Sequence, residues 1–192
     1  MIDRDPLDFA WWLASRSAGI VALIAVSASV LLGLLMANGL PRRKGMKAKL
    51  LSLHEGAAIA GLFAIAVHGV TLLGSRFVHA DVTNIAIPFT LSYRPLFTGI
   101  GVLAGYLAAL LGLSFYARRR IGAKLWRRLH RWTVAVWALS VVHTLGAGTD
   151  ARAPWMLVLM LAFAVPIVVL FVRRLQPAGP KPRAATAAST QQ

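Results

Sequence analysis

Five long apolar stretches dominate this sequence of 192 residues, and short segments that carry most of the charge separate them. A bilayer crossing takes about 20 mainly apolar residues at a helical rise of about 1.5 Å each. The stretches cover residues 17–36, 50–73, 96–116, 129–145 and 155–172. Because a segment inside lipid must satisfy its own backbone hydrogen bonds, each stretch is expected to be a helix. The sequence therefore predicts an all-α integral membrane helical bundle with five transmembrane helices.

Composition narrows the possible cofactor chemistry. The chain is 58% hydrophobic and has no cysteine. Without thiols, disulfides, thiolate-bound iron–sulfur clusters and covalently attached c-type haem are excluded, so any haem is held non-covalently. The formal net charge is +15, but the basic residues cluster between the apolar stretches. This arrangement indicates membrane topology, and no nucleic-acid partner is expected.

The basic clusters predict the orientation in the membrane. One cluster, which follows the first stretch, consists of Arg42, Arg43, Lys44, Lys47 and Lys49. A second occupies residues 118–128, and both are expected on the cytoplasmic side of the cell membrane. The N-terminus then lies outside and the C-terminus inside. We expect an extracytoplasmic segment at 1–16, the membrane domain at 17–175 and a disordered cytoplasmic tail at 176–192.

Four of the five histidines fall inside these stretches. His54 and His68 belong to the second stretch, and His130 and His143 belong to the fourth. Both stretches start from the cytoplasmic side, so His54 and His130 should lie near the inner face, with the other two about 20 Å further out. This depth pairing predicts two b-type haems between the second and fourth helices, with all four histidines as iron ligands.

The helical angles differ between the two histidine-bearing stretches. Fourteen residues return to within about 40° of the start, so His54 and His68 share one face of their helix. Thirteen residues leave His130 and His143 about 140° apart on an ideal helix. Either the fourth helix is locally over- or underwound, or its two histidines approach their haems from different directions.

The neighbouring charged residues and the histidines each have more than one interpretation. Arg127, Arg128 and Arg131 bracket His130, where they suit haem propionates and equally serve to set topology. The histidines without haem would bond to backbone carbonyls or to each other, or form a proton relay. A relay usually includes carboxylates at depth, and the only nearby acid is Glu55 at the cytoplasmic edge.

The segments "LHEGAAIAGLFAIAVHG" and "LWRRLHRWTVAVWALSVVHTLG" hold the four histidines at spacings of 14 and 13 residues. Over roughly residues 17–175 the chain resembles the transmembrane domain of ferric reductases and NADPH oxidases. The stretch "YRPLFTGIGVLAGYLAALLGLSFYARRRIGAKLWRRLH" is also similar to the haem-binding membrane subunit of the periplasmic methionine sulfoxide reductase system. That subunit typically lacks the first histidine and carries a flavin on the inner side, whereas His54 is present here. The resemblance therefore implies two b-type haems, with FMN or quinone as further candidate cofactors.

The resemblance implies transmembrane electron transfer by an oxidoreductase subunit rather than by a complete enzyme. Ferric reductases typically have six spans and continue into a soluble flavin and nicotinamide domain, which we expect on a separate protein here. Electrons would pass from a soluble flavoprotein to an external metal ion or redox protein. The alternative is a quinol-linked subunit that serves an extracytoplasmic reductase, and a third hypothesis is a cofactor-free transporter or scaffold. Membrane lipid is a partner in every case.

Overall fold

The computed structural model describes residues 6–40 and 43–176. All regular secondary structure in these residues is helical, which confirms the predicted all-α class. The helices are α1 (Pro6–Ala37), α2 (Met46–Leu72), α3 (Val82–Ala86), α4 (Pro95–Ile121), α5 (Ala123–His130), α6 (Thr133–Ala147) and α7 (Pro154–Leu175). Arg42 of the first basic cluster and residues 177–192 of the predicted tail lie outside the described residues.

Four helices within the described residues are long and apolar enough to cross a membrane. They are residues Phe9–Ala37 of α1 and the whole of α2, α4 and α7. Each meets the requirement of about 20 residues for a bilayer crossing. Helix α1 begins at Pro6, well before the predicted start at residue 17, so Ser15 and Arg16 lie on this helix. The structure is therefore a helical bundle with four candidate membrane crossings.

The fourth predicted stretch is divided between two helices. Helix α5 ends at His130 and α6 begins at Thr133, and between them the Trp132 N–H donates to the Leu129 carbonyl at 2.9 Å. This bond from residue i to i−3 marks a tight, overwound turn. Helix α5 carries several basic side chains and α6 carries no lysine or arginine, so α5 favours the membrane surface and α6 favours hydrocarbon. The prediction that His130 and His143 share one helix is wrong for this reason.

Helix α1 organises the packing of the bundle. It lies along α2 and also contacts α6 and α7, whereas α4 lies along α6. A buried cluster of Val30, Leu34, Trp137, Ile167 and Leu170 joins α1, α6 and α7. Such close van der Waals packing is the main force between helices in lipid. The result is two antiparallel helix pairs, α1–α2 and α4–α6, with few direct contacts between α2 and α6.

Candidate cofactor site

The structure brings the four predicted histidines together in two pairs across the interval between α2 and the α5–α6 segment. The ring centroids of His54 and His130 are 5.9 Å apart, and those of His68 and His143 are 6.2 Å apart. The ring planes are nearly perpendicular, at 87° in the first pair and 72° in the second. Each pair joins one histidine of α2 to one of the α5–α6 segment, as the depth argument predicts.

The distance between the ring centroids distinguishes a direct hydrogen bond between two imidazoles from a metal ion bound between them. A direct N–H···N hydrogen bond of about 2.9 Å would place two imidazole centroids about 5 Å apart. Two bonds of about 2.0 Å to one intervening metal ion would place them about 6 Å apart. The observed separations of 5.9 and 6.2 Å exceed the value that a direct hydrogen bond between the rings would give. The described residues hold no group of three or more His, Cys, Asp or Glu that could bind a metal ion.

Backbone carbonyls fix the orientation of three of the four rings. The Nδ1–H groups of His54, His68 and His143 point to the carbonyl oxygens of Ser29, Ser15 and Phe97, each at 2.8 Å. Because a carbonyl only accepts, Nδ1 must carry the proton in each neutral ring. These are the bonds expected of histidines without haem, and they also leave the Nε2 lone pair free, which is the protonation state that a metal-ligating histidine requires.

Two serines of α1 also bond back to the histidines of α2. The Ser15 hydroxyl donates to the His68 carbonyl at 3.2 Å, and the Ser29 hydroxyl donates to the His54 carbonyl at 3.3 Å. The same hydroxyl oxygens lie 3.2 and 3.1 Å from the Nδ1 atoms of these rings. Both serines are buried, at 3% and 7% exposure. Each serine and its histidine therefore contact each other through backbone and side chain in both directions.

A glycine follows each of the three acceptor residues by four positions. A Cβ at Gly19 would lie 3.1 Å from the His68 Nδ1, one at Gly33 would lie 3.4 Å from the His54 Cε1, and one at Gly101 would collide with the His143 ring. Helical side chains tilt toward the N-terminus and cover the turn before them. Glycine at position i+4 therefore leaves the carbonyl of residue i accessible to an imidazole.

His130 lacks this support. Its Nδ1 is buried and has no hydrogen-bond partner within residues 6–40 and 43–176. The ring stacks instead on Trp126, with a centroid separation of 5.0 Å and an interplanar angle of 25°. On α4 the position fourteen residues beyond Gly101 is Phe115, whose ring packs against Trp126 at 6.0 Å. The inner pair is therefore fixed by a carbonyl on one side only.

A cavity of about 700 Å³ surrounds the outer pair, and His68 and His143 line it. This volume lies within the range of about 300–1,000 Å³ that is typical of small-molecule and cofactor sites. Segment 73–94, which includes α3, contributes apolar side chains such as Phe77 and Leu91 to its wall. Arg16 and Asp150 also line it, and they form a bidentate ion pair with Nε–Oδ2 and Nη2–Oδ1 distances of 2.5 and 2.7 Å.

The three arginines predicted to hold propionates surround the end of α5. Arg127 and Arg128 lie in its last turn, and Arg131 follows His130 directly. All three side chains are exposed, and none forms an ion pair with a described residue. Cations at the C-terminal end of a helix also stabilise its dipole. Their binding to propionates stays a prediction.

The sequence interpretation missed the residues of α1 that contact the histidines. Ser15, Gly19, Ser29 and Gly33 form the pattern Ser-x-x-x-Gly twice, fourteen residues apart, which is also the spacing of His54 and His68. This repeat was the available signal.

No protein-family model, curated protein or solved structure matches this chain. The resemblance to ferric reductases stays a prediction, and the functional argument rests on the geometry of the site.

Proposed function

We propose that this chain conducts electrons across a membrane through two b-type haems. His54 and His130 would hold the inner haem, and His68 and His143 would hold the outer one. The observation that carries the proposal is the repetition of one geometry at two levels, with ring centroids 5.9 and 6.2 Å apart. Haem iron bound in this way supplies one-electron redox chemistry.

The residues of the chain favour electron transfer over bond chemistry. Three of the four imidazoles have their Nε2 lone pairs available, and His130 would be the fourth ligand, so two histidines of the chain would hold the iron at each level. The lining of the outer cavity is mainly apolar, which would limit the access of water to a bound group. The two levels are fourteen residues apart on α2, about 21 Å at the helical rise, which divides the membrane thickness into short transfer distances.

The proposal includes a fifth membrane crossing formed by α6. At 15 residues this helix is about 22 Å long, so α5 and the turn after it would extend it toward the cytoplasmic surface. Arg127, Arg128 and Arg131 then lie at that surface, where they would contact the propionates of the inner haem. The N-terminus lies outside, and the C-terminus lies in the cytoplasm.

The electron donor is proposed to be a separate soluble flavoprotein on the cytoplasmic side, and the acceptor an external metal ion or redox protein. Stopped-flow reduction of the purified protein distinguishes donors. Faster reduction by a flavodoxin or flavin reductase supports this donor, whereas faster reduction by a quinol supports a quinol-linked subunit. Binding of FMN or quinone to the chain itself is measured in the same preparation by extraction and chromatography.

Haem content tests the proposal directly. The chain is produced in membranes supplied with haem, purified in detergent and analysed by the pyridine-haemochrome method. We expect about two haem b per chain and the low-spin spectrum of bis-imidazole iron. A purified, folded protein without haem would rule the proposal out and leave a transporter or scaffold.

A further inference from the structure

We infer that α1 is a positioning helix whose two Ser-x-x-x-Gly units each orient the ligand histidine of one level. Ser15 and Gly19 act on His68, and Ser29 and Gly33 act on His54. The inference rests on the proposed function for what the histidines bind. It adds residues that act through the imidazoles and are not themselves iron ligands.

Each unit works through a backbone carbonyl that glycine leaves uncovered. The carbonyl of the serine receives the histidine Nδ1–H at 2.8 Å, while its hydroxyl donates to the histidine carbonyl at 3.2 or 3.3 Å. The first bond fixes the rotation of the ring and makes Nε2 a stronger donor. The second bond fixes the position of the histidine backbone along α1.

The register of two antiparallel helices places both units correctly. Ser29 follows Ser15 by fourteen residues on α1, and His54 precedes His68 by fourteen residues on α2. Fourteen residues are close to four turns, so both units occupy the same face of α1. The equal hydrogen-bond distances at the two levels follow from this register.

Helix α4 carries one acceptor of the same kind, the Phe97 carbonyl before Gly101, and it serves His143. His130 has none among the described residues. The outer level is therefore oriented from both sides, by α1 and α4, and the inner level is oriented by α1 alone. Loss of the inner unit of α1 removes the only carbonyl bond that the described residues give to a histidine of the inner level.

The first experiment substitutes the glycines. In Gly19→Val the outer haem is lost and the inner one kept, and in Gly33→Val the reverse occurs, so haem per chain falls by about half in each. Gly56→Val on α2 is the control, because a Cβ at Gly56 meets no atom within 4 Å. Spectra of His68→Ala and His54→Ala proteins identify the outer and inner signals. Equal loss of both haems in both glycine variants, or loss in neither, would overturn the inference.

The second experiment removes the serine hydroxyls and measures the midpoint potential of each haem. If the serines had a merely structural role, their removal would not shift the potential at one level alone. Ser15→Ala should raise the midpoint potential of the outer haem alone, and Ser29→Ala that of the inner haem alone. Without the hydroxyl the histidine backbone is no longer held against α1, so the Nδ1–H bond to the carbonyl of residue 15 or 29 weakens and the imidazole becomes a weaker donor. Ser17→Ala, an exposed serine of the same helix, is the control. Unchanged potentials in both variants, or shifts at both levels in each, would contradict level-specific positioning.

A third measurement separates this inference from the proposed function. NMR of ¹⁵N-histidine-labelled protein without haem reports the tautomer of each ring. We expect Nδ1–H for His54, His68 and His143, with His54 losing this preference in Gly33→Val and His68 in Gly19→Val. A mixture of tautomers at His54 and His68 in the wild type would refute the positioning role, whatever the haem content.

Discussion

The Arg94 guanidinium, just before α4, donates to the Gly146 carbonyl near the end of α6 at 2.5 Å. The adjacent Tyr93 hydroxyl donates to the Ala147 carbonyl at 3.4 Å. These bonds satisfy carbonyls in the last turn of α6, which have no partner within the helix. They therefore fix the end of the helix that carries His143.

Replacing Arg94 with alanine should destabilise the protein by about 1 kcal/mol, because a charge-assisted hydrogen bond to the helix terminus is lost. The midpoint of thermal unfolding, followed by circular dichroism in detergent, measures the effect. Arg152→Ala is the matched control, since Arg152 lines the same surface pocket and forms no hydrogen bond with a described residue. Equal midpoints for the two variants would contradict the role of Arg94 at this terminus.

Histidine variants should remove one haem at a time. In His68→Ala and His143→Ala the outer signal is expected to disappear while the inner one stays, because the two pairs are separate and lie fourteen residues apart along α2. Haem content and the reduced-minus-oxidised spectrum measure this result. His79→Ala is the control, since His79 is exposed in the segment between α2 and α4. If His68→Ala and His54→Ala removed the same signal, the assignment of pairs would fail.

Glycine positions on α4 give a sharper test of the outer pair. A Cβ at Gly101 would collide with the His143 ring, whereas one at Gly105 would make an ordinary contact with Ile65 Cγ2 at 3.5 Å. We expect Gly101→Ala to lose most of the outer haem and Gly105→Ala to retain it, as measured by haem per chain. Full retention of the outer haem in Gly101→Ala would show that the His143 ring can bind the haem from another position.

The Arg16–Asp150 ion pair should couple α1 to the segment between α6 and α7. Their side chains are 32% and 18% exposed, so removing one partner leaves the other charge partly desolvated. A double-mutant cycle with Arg16→Gln and Asp150→Asn is expected to give a coupling energy of about 1–3 kcal/mol. The cycle is measured by thermal unfolding, and additive effects of the two substitutions would show that the pair contributes no coupling.

The sequence predicts the histidine pairs because depth depends only on helix direction and residue count. His54 and His68 lie on one helix, α2, and the basic clusters predict the direction in which this helix crosses the membrane. The 13-residue spacing left open a local over- or underwinding of this stretch, and the tight turn between His130 and Thr133 is such an irregularity. A break into two helices at this position was not predictable from spacing, because it reflects the different solvent preferences of α5 and α6. A hydropathy count treats that stretch as uniform.

The contacts of α1 escaped the sequence interpretation for a different reason. Ser15 and Ser29 act through backbone carbonyls, and Gly19 and Gly33 act by lacking a side chain. A backbone carbonyl is present at every residue, so the type of side chain does not indicate which carbonyl receives a histidine N–H. Only the matching interval of fourteen on two helices records the arrangement in the sequence.

The antiparallel register of α1 and α2 limits which insertions and deletions this chain can accept. Deleting one residue between Ser15 and Ser29 would turn one unit by about 100° relative to the other, so one imidazole would lose its carbonyl. The connection between the helices lies outside both units, so a change in its length leaves the interval between the two units unchanged. Insertions and deletions within α1 between the two serines, or within α2 between the two histidines, would therefore separate a carbonyl from its imidazole.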